Sequence, residues 1–167
     1  MRNVNMSELI GGRLYLHSMP GRYESWSNFI SSATALGVTH ILCLTPDEEI
    51  KKKSPDYHQA LRVGEHCFKI YYFPIKDYGI PSASEIPGLI NILCEIQRLL
   101  TAEQVVLIHC AGGIGRTGMI AALLLVHLGY TVEEAIRIIK NAGSAAETYE
   151  QKNFFCKAAA IMGKSQN

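Results

Sequence analysis

The chain has 167 residues and a mass of 18.5 kDa, the size of one domain; with 48% hydrophobic and 19% charged residues it is neither disordered nor collagen-like. A chain of this length buries roughly 70% of its unfolded surface, so a core forms without disulfides or a structural metal. Sixteen basic against fifteen acidic residues leave a formal charge of +1, which offers no global field to a nucleic acid or an anionic membrane.

The run between Thr117 and Glu133 carries no charge but is broken by His127, Gly129 and Tyr130, and its apolar heart is too short to span a bilayer. The N-terminal MRNVNMSELIGG lacks the apolar stretch of a signal peptide. Five cysteines, Cys43, Cys67, Cys94, Cys110 and Cys156, are an odd number, spread out and mostly inside apolar runs. They argue against a disulfide framework and for a reducing, cytoplasmic compartment. No C-x-x-C or H-x-x-x-H spacing exists, so neither a metal site nor a cofactor is expected. Nothing sets an oligomeric state, and a monomer is the default reading.

In chain order, Arg13–His17 (RLYLH) alternates as a short strand, and Trp26 to Leu36 reads as a helix stopped by Gly37. Thr39–Leu44 is an apolar run ended by Thr45-Pro46, a buried strand. Asp47–Gly64 is polar, with Lys51-Lys52-Lys53 and Ser54-Pro55, and reads as a solvated loop or short helix. Cys67–Ile75 (CFKIYYFPI) is rich in β-formers, and Lys76–Ser84 is turn-rich, with Gly79 and Pro81. Ser84 is the candidate N-cap of a helix to Leu100, with Pro87 in its first turn. Val105–Cys110 (VVLIHC) predicts a strand buried on both faces. An apolar helix, Met119–Leu128, follows a glycine-rich loop. Thr131 and Glu134 form a capping-box pattern ahead of a helix to Ala142, and a last helix spans roughly Tyr149–Met162. Strands alternating with helices predict an α/β fold: a single domain with a central, largely parallel twisted sheet flanked by helices on both faces.

The chemistry concentrates in His109-Cys110-Ala111-Gly112-Gly113-Ile114-Gly115-Arg116-Thr117-Gly118. Gly113, Gly115 and Gly118 match the dinucleotide pattern G-x-G-x-x-G. That fingerprint needs a second strand ending in an acidic residue, whereas Glu133 and Glu134 sit at a helix start. A nucleotide P-loop fails as well, because Cys110 replaces the leading glycine and Arg116 the lysine. A third reading uses every residue. A cysteine at a strand end, five small residues, then Arg and Thr opening a helix form a tight semicircle whose N–H groups, from Ala111 through Arg116, point inward with the helix dipole behind them. The glycines permit the close approach, and Arg116 supplies a planar fork for two phosphate oxygens. The same field is expected to lower the pKa of Cys110 towards a thiolate. The plainer alternative, a buried cysteine beside a turn, leaves the spacing of Cys, Arg and Thr unexplained.

His109–Gly118 (HCAGGIGRTG) resembles the active-site loop of cysteine-dependent protein-tyrosine phosphatases, H-C-x5-R-[ST]; the small size resembles their atypical dual-specificity members. The resemblance runs from roughly Glu8 to Phe155. It implies a phosphocysteine mechanism without metal, acting on a phosphoprotein or phosphopeptide. In that family the general acid sits in a D-x-x-x-P loop, here Asp77 to Pro81. Asp47 and Asp56, the other aspartates, lie in polar segments, and the run Asp47-Glu48-Glu49 reads as solvated surface. By the resemblance, Cys110 attacks phosphorus, Arg116 and the amides of Ala111, Gly112, Gly113, Ile114 and Gly115 hold the oxygens, and Thr117 donates a hydrogen bond to the sulfur. His109 orients the loop from behind. Two glutamines near the water in such enzymes correspond here to Glu147 and Gln151; Gln151 assists and Glu147, a carboxylate beside a phosphoryl group, is secondary.

The leading expectation is a phosphatase for phosphotyrosine, with phosphoserine and phosphothreonine as further substrates. Phosphoinositides fit less well because Ala111–Gly115 holds no lysine or arginine. RNA 5′-phosphates lack a basic stripe to meet them. A phospho-binding module without chemistry and a sulfurtransferase remain alternatives; neither needs Asp77.

Overall fold

We describe a computed structural model of the chain, covering residues 1–7 and 10–164, with backbone alone at 162–164. Glu8, where the resemblance begins, lies outside the described residues. Strands β1 (Arg2–Val4), β2 (Arg13–His17), β3 (His40–Cys43), β4 (Lys69–Tyr72) and β5 (Val105–His109) form one sheet in the order β1-β2-β5-β3-β4. β2, β5, β3 and β4 run parallel, and β1 adds an antiparallel edge. The expected largely parallel α/β sheet is present. The edge strand is new: three residues, Arg-Asn-Val, are too few to show an alternation.

Successive strand residues face opposite layers. Leu14, Leu16, Leu42, Val106 and Ile108 join one core. It is shared with α4 (Ile86–Thr101), α5 (Gly115–His127), α6 (Val132–Asn141) and α7 (Tyr149–Lys164). Tyr15, Ile41, Val105 and Leu107 face Phe29 and Ala33 of α1 (Trp26–Ala35) on the other side. β5 is buried along its whole length, as its continuous apolar run implies. α5 is buried from Gly115 to Val126, the pattern of a helix packed on all sides. Its Gly118 is required: a Cβ there would stand 2.5 Å from the backbone nitrogen of Ala145.

Three local expectations are narrowed or corrected. Of the two readings of residues 47–64, solvated loop or short helix, the helical one holds, doubled: α2 (Asp47–Lys53) and α3 (Pro55–Val63). Three acidic residues in the first turn of α2 and three lysines in its last complement the helix dipole. Pro55 opens α3, and Gly64, at φ 72°, closes it. Ile50 and Tyr57 anchor the pair against Met19, Cys43 and Ala111. The cap before α4 is Ser82 rather than Ser84, because Glu85 closes a capping box by accepting from the Ser82 N–H at 2.7 Å; a 3-10 turn, Ala83–Glu85, leads into the helix. The fourth strand is shorter than Cys67–Ile75, although Phe68, Phe73 and Ile75 remain buried. The capping box at Thr131 and Glu134 forms as expected. All five cysteines are free; Cys43 and Cys110 are buried and the other three exposed. Among the described residues, no helix is long and apolar enough to cross a membrane.

Candidate active site

β2, β5 and β3 end level with one another, His17 opposite His109 and His109 opposite Cys43. Beyond the carboxyl ends of parallel strands lies the usual crevice of such sheets. Here Cys110 follows β5, the loop turns over Gly112 and Gly113, and α5 starts at Gly115. A cleft of about 190 Å³ is bounded by this loop, by Asp77 and by Glu147 and Gln151. The cysteine, arginine and aspartate singled out in the sequence, with Glu147 and Gln151, thus meet around one space. Gly113, His109 and Thr117 do not line it.

Cys110 is 2% exposed, and its Sγ accepts the Gly113 N–H at 3.2 Å. Gly113 has φ 72°, and a Cβ there would run into the His17 carbonyl; glycine is obligatory at this turn. Thr117 departs from expectation. Its Oγ1 is buried and has no hydrogen-bond partner among the described residues, so the bond to the Cys110 sulfur is not formed in this state. The sulfur is held by the Gly113 amide instead.

Arg116 is buried and its fork is already occupied. Nη1 donates to Glu49 Oε2 at 2.8 Å and to the Ile75 carbonyl at 2.9 Å. Nη2 donates to Glu49 Oε1 at 3.1 Å and to Asp77 Oδ1 at 2.8 Å. Burial works against the guanidinium charge, but the Glu49 hydrogen bond and the charges of Cys110, Glu49 and Asp77 hold its pKa above the ordinary value. Glu49 shows the converse. Burial would raise its pKa, yet Arg116 and Lys53 outweigh that and hold it below the usual range. Lys53 bonds Glu49 at 2.6 Å and reaches Asp77 at 3.4 Å. The expectation that Asp47-Glu48-Glu49 is solvated therefore fails for Glu49, whose side chain is only 14% exposed.

Behind Cys110 lies a buried histidine. His109 Nδ1 lies 3.3 Å from the Cys110 carbonyl and Nε2 lies 3.0 Å from the Tyr57 hydroxyl. One tautomer, protonated on Nδ1, satisfies both. Burial pushes the pKa of His109 down to about 3, so the ring is neutral and spans from the Tyr57 hydroxyl to the Cys110 carbonyl. Gln151 is buried as well. Its Oε1 accepts the Glu147 N–H at 2.9 Å, and its Nε2 donates to the Gly79 carbonyl at 3.2 Å, tying the start of α7 to the loop that carries Asp77. The Glu147 carboxylate lies against Gly115, where a Cβ would collide with it.

Sequence reasoning missed Glu49 and Lys53, whose i, i+4 spacing on a short charged helix was the available signal. It also missed Arg22 and Tyr23, which line the cleft, with the Arg22 guanidinium 4.6 Å from the Tyr23 ring centre. The loop itself holds no second cation, but Arg22 and Lys53 bring two from elsewhere.

Comparison with known proteins agrees with this geometry. The family model PTP-SAK, described as Swiss Army Knife protein, DSP-PTPase phosphatase domain, matches residues 3–159. Cyclin-dependent kinase inhibitor 3 of Homo sapiens is 33% identical over 166 residues, covering 92% of this chain and 73% of that protein. The putative tyrosine phosphatase 067L of Invertebrate iridescent virus 3 is 32% identical over 123 residues, covering 72% of this chain and 47% of that one. Among solved structures, kinase associated phosphatase with its catalytic-site cysteine replaced by serine superposes with a TM-score of 0.82 at 23% identity, over 96% of this chain and 94% of that chain. Human tyrosine phosphatase-like serine/threonine/tyrosine-interacting protein gives 0.69 at 17% identity, over 92% and 94%. These last two establish likeness of fold. With a family match across nearly its whole length and a Cys–x5–Arg loop folded at the carboxyl edge of a parallel sheet, the chain belongs to the dual-specificity-type protein-tyrosine phosphatase family.

Proposed function

We propose that this chain is an active phosphatase that hydrolyses phosphomonoesters of proteins, phosphotyrosine foremost, through a phosphocysteine on Cys110. The observation that carries the reading is the joint placement of Cys110, Arg116 and Asp77 around one cleft, with Asp77 Oδ1 2.8 Å from the arginine. A phospho-binding module or a sulfurtransferase would not need that aspartate. Tyr23 and Tyr78, 70% and 62% exposed at the cleft, offer ring faces to an aromatic phosphoester.

A guanidinium has five N–H donors, and the Nη groups of Arg116 already make four hydrogen bonds. An incoming phosphoryl group therefore takes the Nε–Nη2 edge by exchanging with Asp77. Asp77 is half-exposed at 48% and sits on a loop, so the exchange moves it towards the leaving oxygen. Glu49 stays behind and keeps the fork in plane. The Cys110 thiolate attacks phosphorus, the P–O bond breaks, and the leaving oxygen takes a proton from Asp77. The loop amides and Arg116 meet the charge on the equatorial oxygens. Water then attacks the phosphocysteine and gives its proton to Asp77, the P–S bond breaks, and inorganic phosphate leaves. Gln151 contributes by holding the Asp77 loop to the start of α7. Thr117 and Glu147 stand ready beside the loop, the hydroxyl as a donor to the departing sulfur once the Gly113 amide turns to the oxyanion.

The test is a single turnover of a phosphotyrosine peptide, quenched in acid and analysed by mass spectrometry. The reading predicts phosphate on the peptide containing Cys110 and none in Cys110→Ser. Product formation without a modified Cys110 peptide, or no product from folded protein, overturns it.

A further inference from the structure

We propose that Arg2, from the edge strand β1, and Ser144, from the loop after α6, are positioning residues that aim the Ile114 amide into the phosphate cradle. The inference rests on the reading above and concerns how that site is held. Both side chains meet the Gly113 carbonyl oxygen. Arg2 Nη2 donates to it, and so does Ser144 Oγ at 2.6 Å. Arg2 Nη1 donates in addition to the Gly143 carbonyl at 2.5 Å, so one guanidinium ties the phosphate loop to the segment that carries Ser144. Neither residue lines the cleft; both reach the loop from its far side.

The consequence follows from the planarity of the peptide unit. The described residues contain no cis peptide, and in a trans peptide the carbonyl of residue 113 and the N–H of residue 114 point in opposite directions. Fixing the carbonyl on two donors behind the loop turns the Ile114 N–H forward, to the side where Ile114 borders the cleft. Gly113 is the residue that takes up the turn, at φ 72°, and a side chain there would collide with the His17 carbonyl and crowd Arg2 Nη2 at 2.6 Å. Its own N–H meets the Cys110 sulfur. The peptide before Gly113 is thus held from within the loop and the one after it from outside.

The character of the two donors supports a built device rather than a chance contact. Ser144 is 2% exposed, and its buried hydroxyl is satisfied by the Gly113 carbonyl, as most buried polar groups are. Burial lowers the pKa of Arg2, and the nearby Cys110 charge partly offsets this; the second cation stands close enough to feel the nucleophile. Two donors on one oxygen also explain why a three-residue edge strand carries a function: β1 exists where it can deliver Arg2.

The experiment compares wild type with Arg2→Met, Arg2→Lys, Ser144→Ala and the Arg2→Met/Ser144→Ala double variant. Calorimetry reads the affinity for inorganic phosphate, steady-state assays with p-nitrophenyl phosphate give kcat and KM, and thermal melts report folding. Losing an oxyanion donor outright costs about 10²–10³ in rate, so misaligning one is expected to cost roughly tenfold in phosphate affinity and in kcat. Arg2→Lys restores part of the loss, since it still reaches one carbonyl. The double variant falls short of the product of the singles, because both donors serve one acceptor. Phosphate affinity and kcat within twofold of wild type in a folded Arg2→Met or Ser144→Ala overturn the proposal, as does a loss that Arg2→Lys fails to lessen. If Arg2→Met does not fold, Ser144→Ala and Arg2→Lys decide. A wild type that binds phosphate without turning over, with affinity still lost in the variants, sinks the phosphatase reading and leaves the clamp standing. A wild type that turns over, with variants equal to it, does the reverse.

Discussion

The front and the back of the Cys110–Gly118 loop are held by different physics. At the front Arg116, Glu49, Lys53 and Asp77 form a chain of charges, one end of which, Asp77, is half in solvent. At the back His109 bonds Tyr57 and Ser144 bonds the Gly113 carbonyl in a buried interior, and Arg2 adds a cation. Charges at a wet edge exchange partners at little cost, because water and an incoming dianion can replace Asp77. Buried hydrogen bonds do not exchange, since each orphaned group carries a desolvation penalty of about 1–3 kcal/mol. The front is therefore suited to binding and proton transfer, the back to shape.

Substitutions at each side sharpen that contrast. The largest effect is expected at the exchangeable end: Asp77→Asn should lower kcat on a p-nitrophenyl ester far less than on a poorer leaving group such as phosphotyrosine, where the loss is about 10²–10⁴. Equal rates on phosphotyrosine would remove Asp77 from the mechanism. Glu49→Gln keeps the shape of the brace and removes its charge. It should cost about tenfold in kcat/KM, or roughly 1.4 kcal/mol, by letting the Arg116 fork tilt, while leaving the product-analysis pattern unchanged. Steady-state kinetics across a phosphate inhibition series would detect it; unchanged inhibition would mean the Ile75 carbonyl alone fixes the arginine.

The back of the loop predicts an effect on stability. His109 has its pKa lowered to about 3 from an ordinary 6.5, so between those values the unfolded chain binds a proton that the folded chain refuses. Stability from this group is complete above pH 6.5 and falls as pH drops towards about 3. Glu49, also depressed, loses its contribution only as pH falls below the ordinary carboxylate range. Urea midpoints measured against pH should thus slope from near pH 6.5 downwards in wild type and flatten in His109→Gln through the upper part of that window. Parallel slopes in the two proteins would contradict a buried neutral histidine.

What was legible in the sequence follows the same division. Cys110, the glycines and Arg116 are contiguous, and a strand–loop–helix carries its own geometry, so the loop could be read directly. Asp77 was found through its D-x-x-x-P setting in the resembled family. Glu49 and Lys53 were not found, because a charged run looks the same on a solvated face as on a helix whose i and i+4 side chains turn inward. Arg2 and Ser144 carry no local signal at all; they lie on either side of the sheet's chain order and meet only at the Gly113 carbonyl. Of the parallel strands, β3 and β5 showed as apolar runs, β2 as an alternation and β4 as a stretch of β-formers, whereas β1 was too short to show any period. Thr117 sits where the motif put it, but its hydroxyl has no partner among the described residues, while the Gly113 amide reaches the sulfur.

In the proposed reaction Cys110 is the nucleophile and no metal takes part. The most direct measurement is hydrolysis of p-nitrophenyl phosphate in EDTA across pH, for wild type and Cys110→Ser. The predicted result is turnover with a bell-shaped pH profile that vanishes in the serine variant while the fold persists. Turnover that survives in Cys110→Ser, or that appears only when a divalent metal is restored, would contradict it.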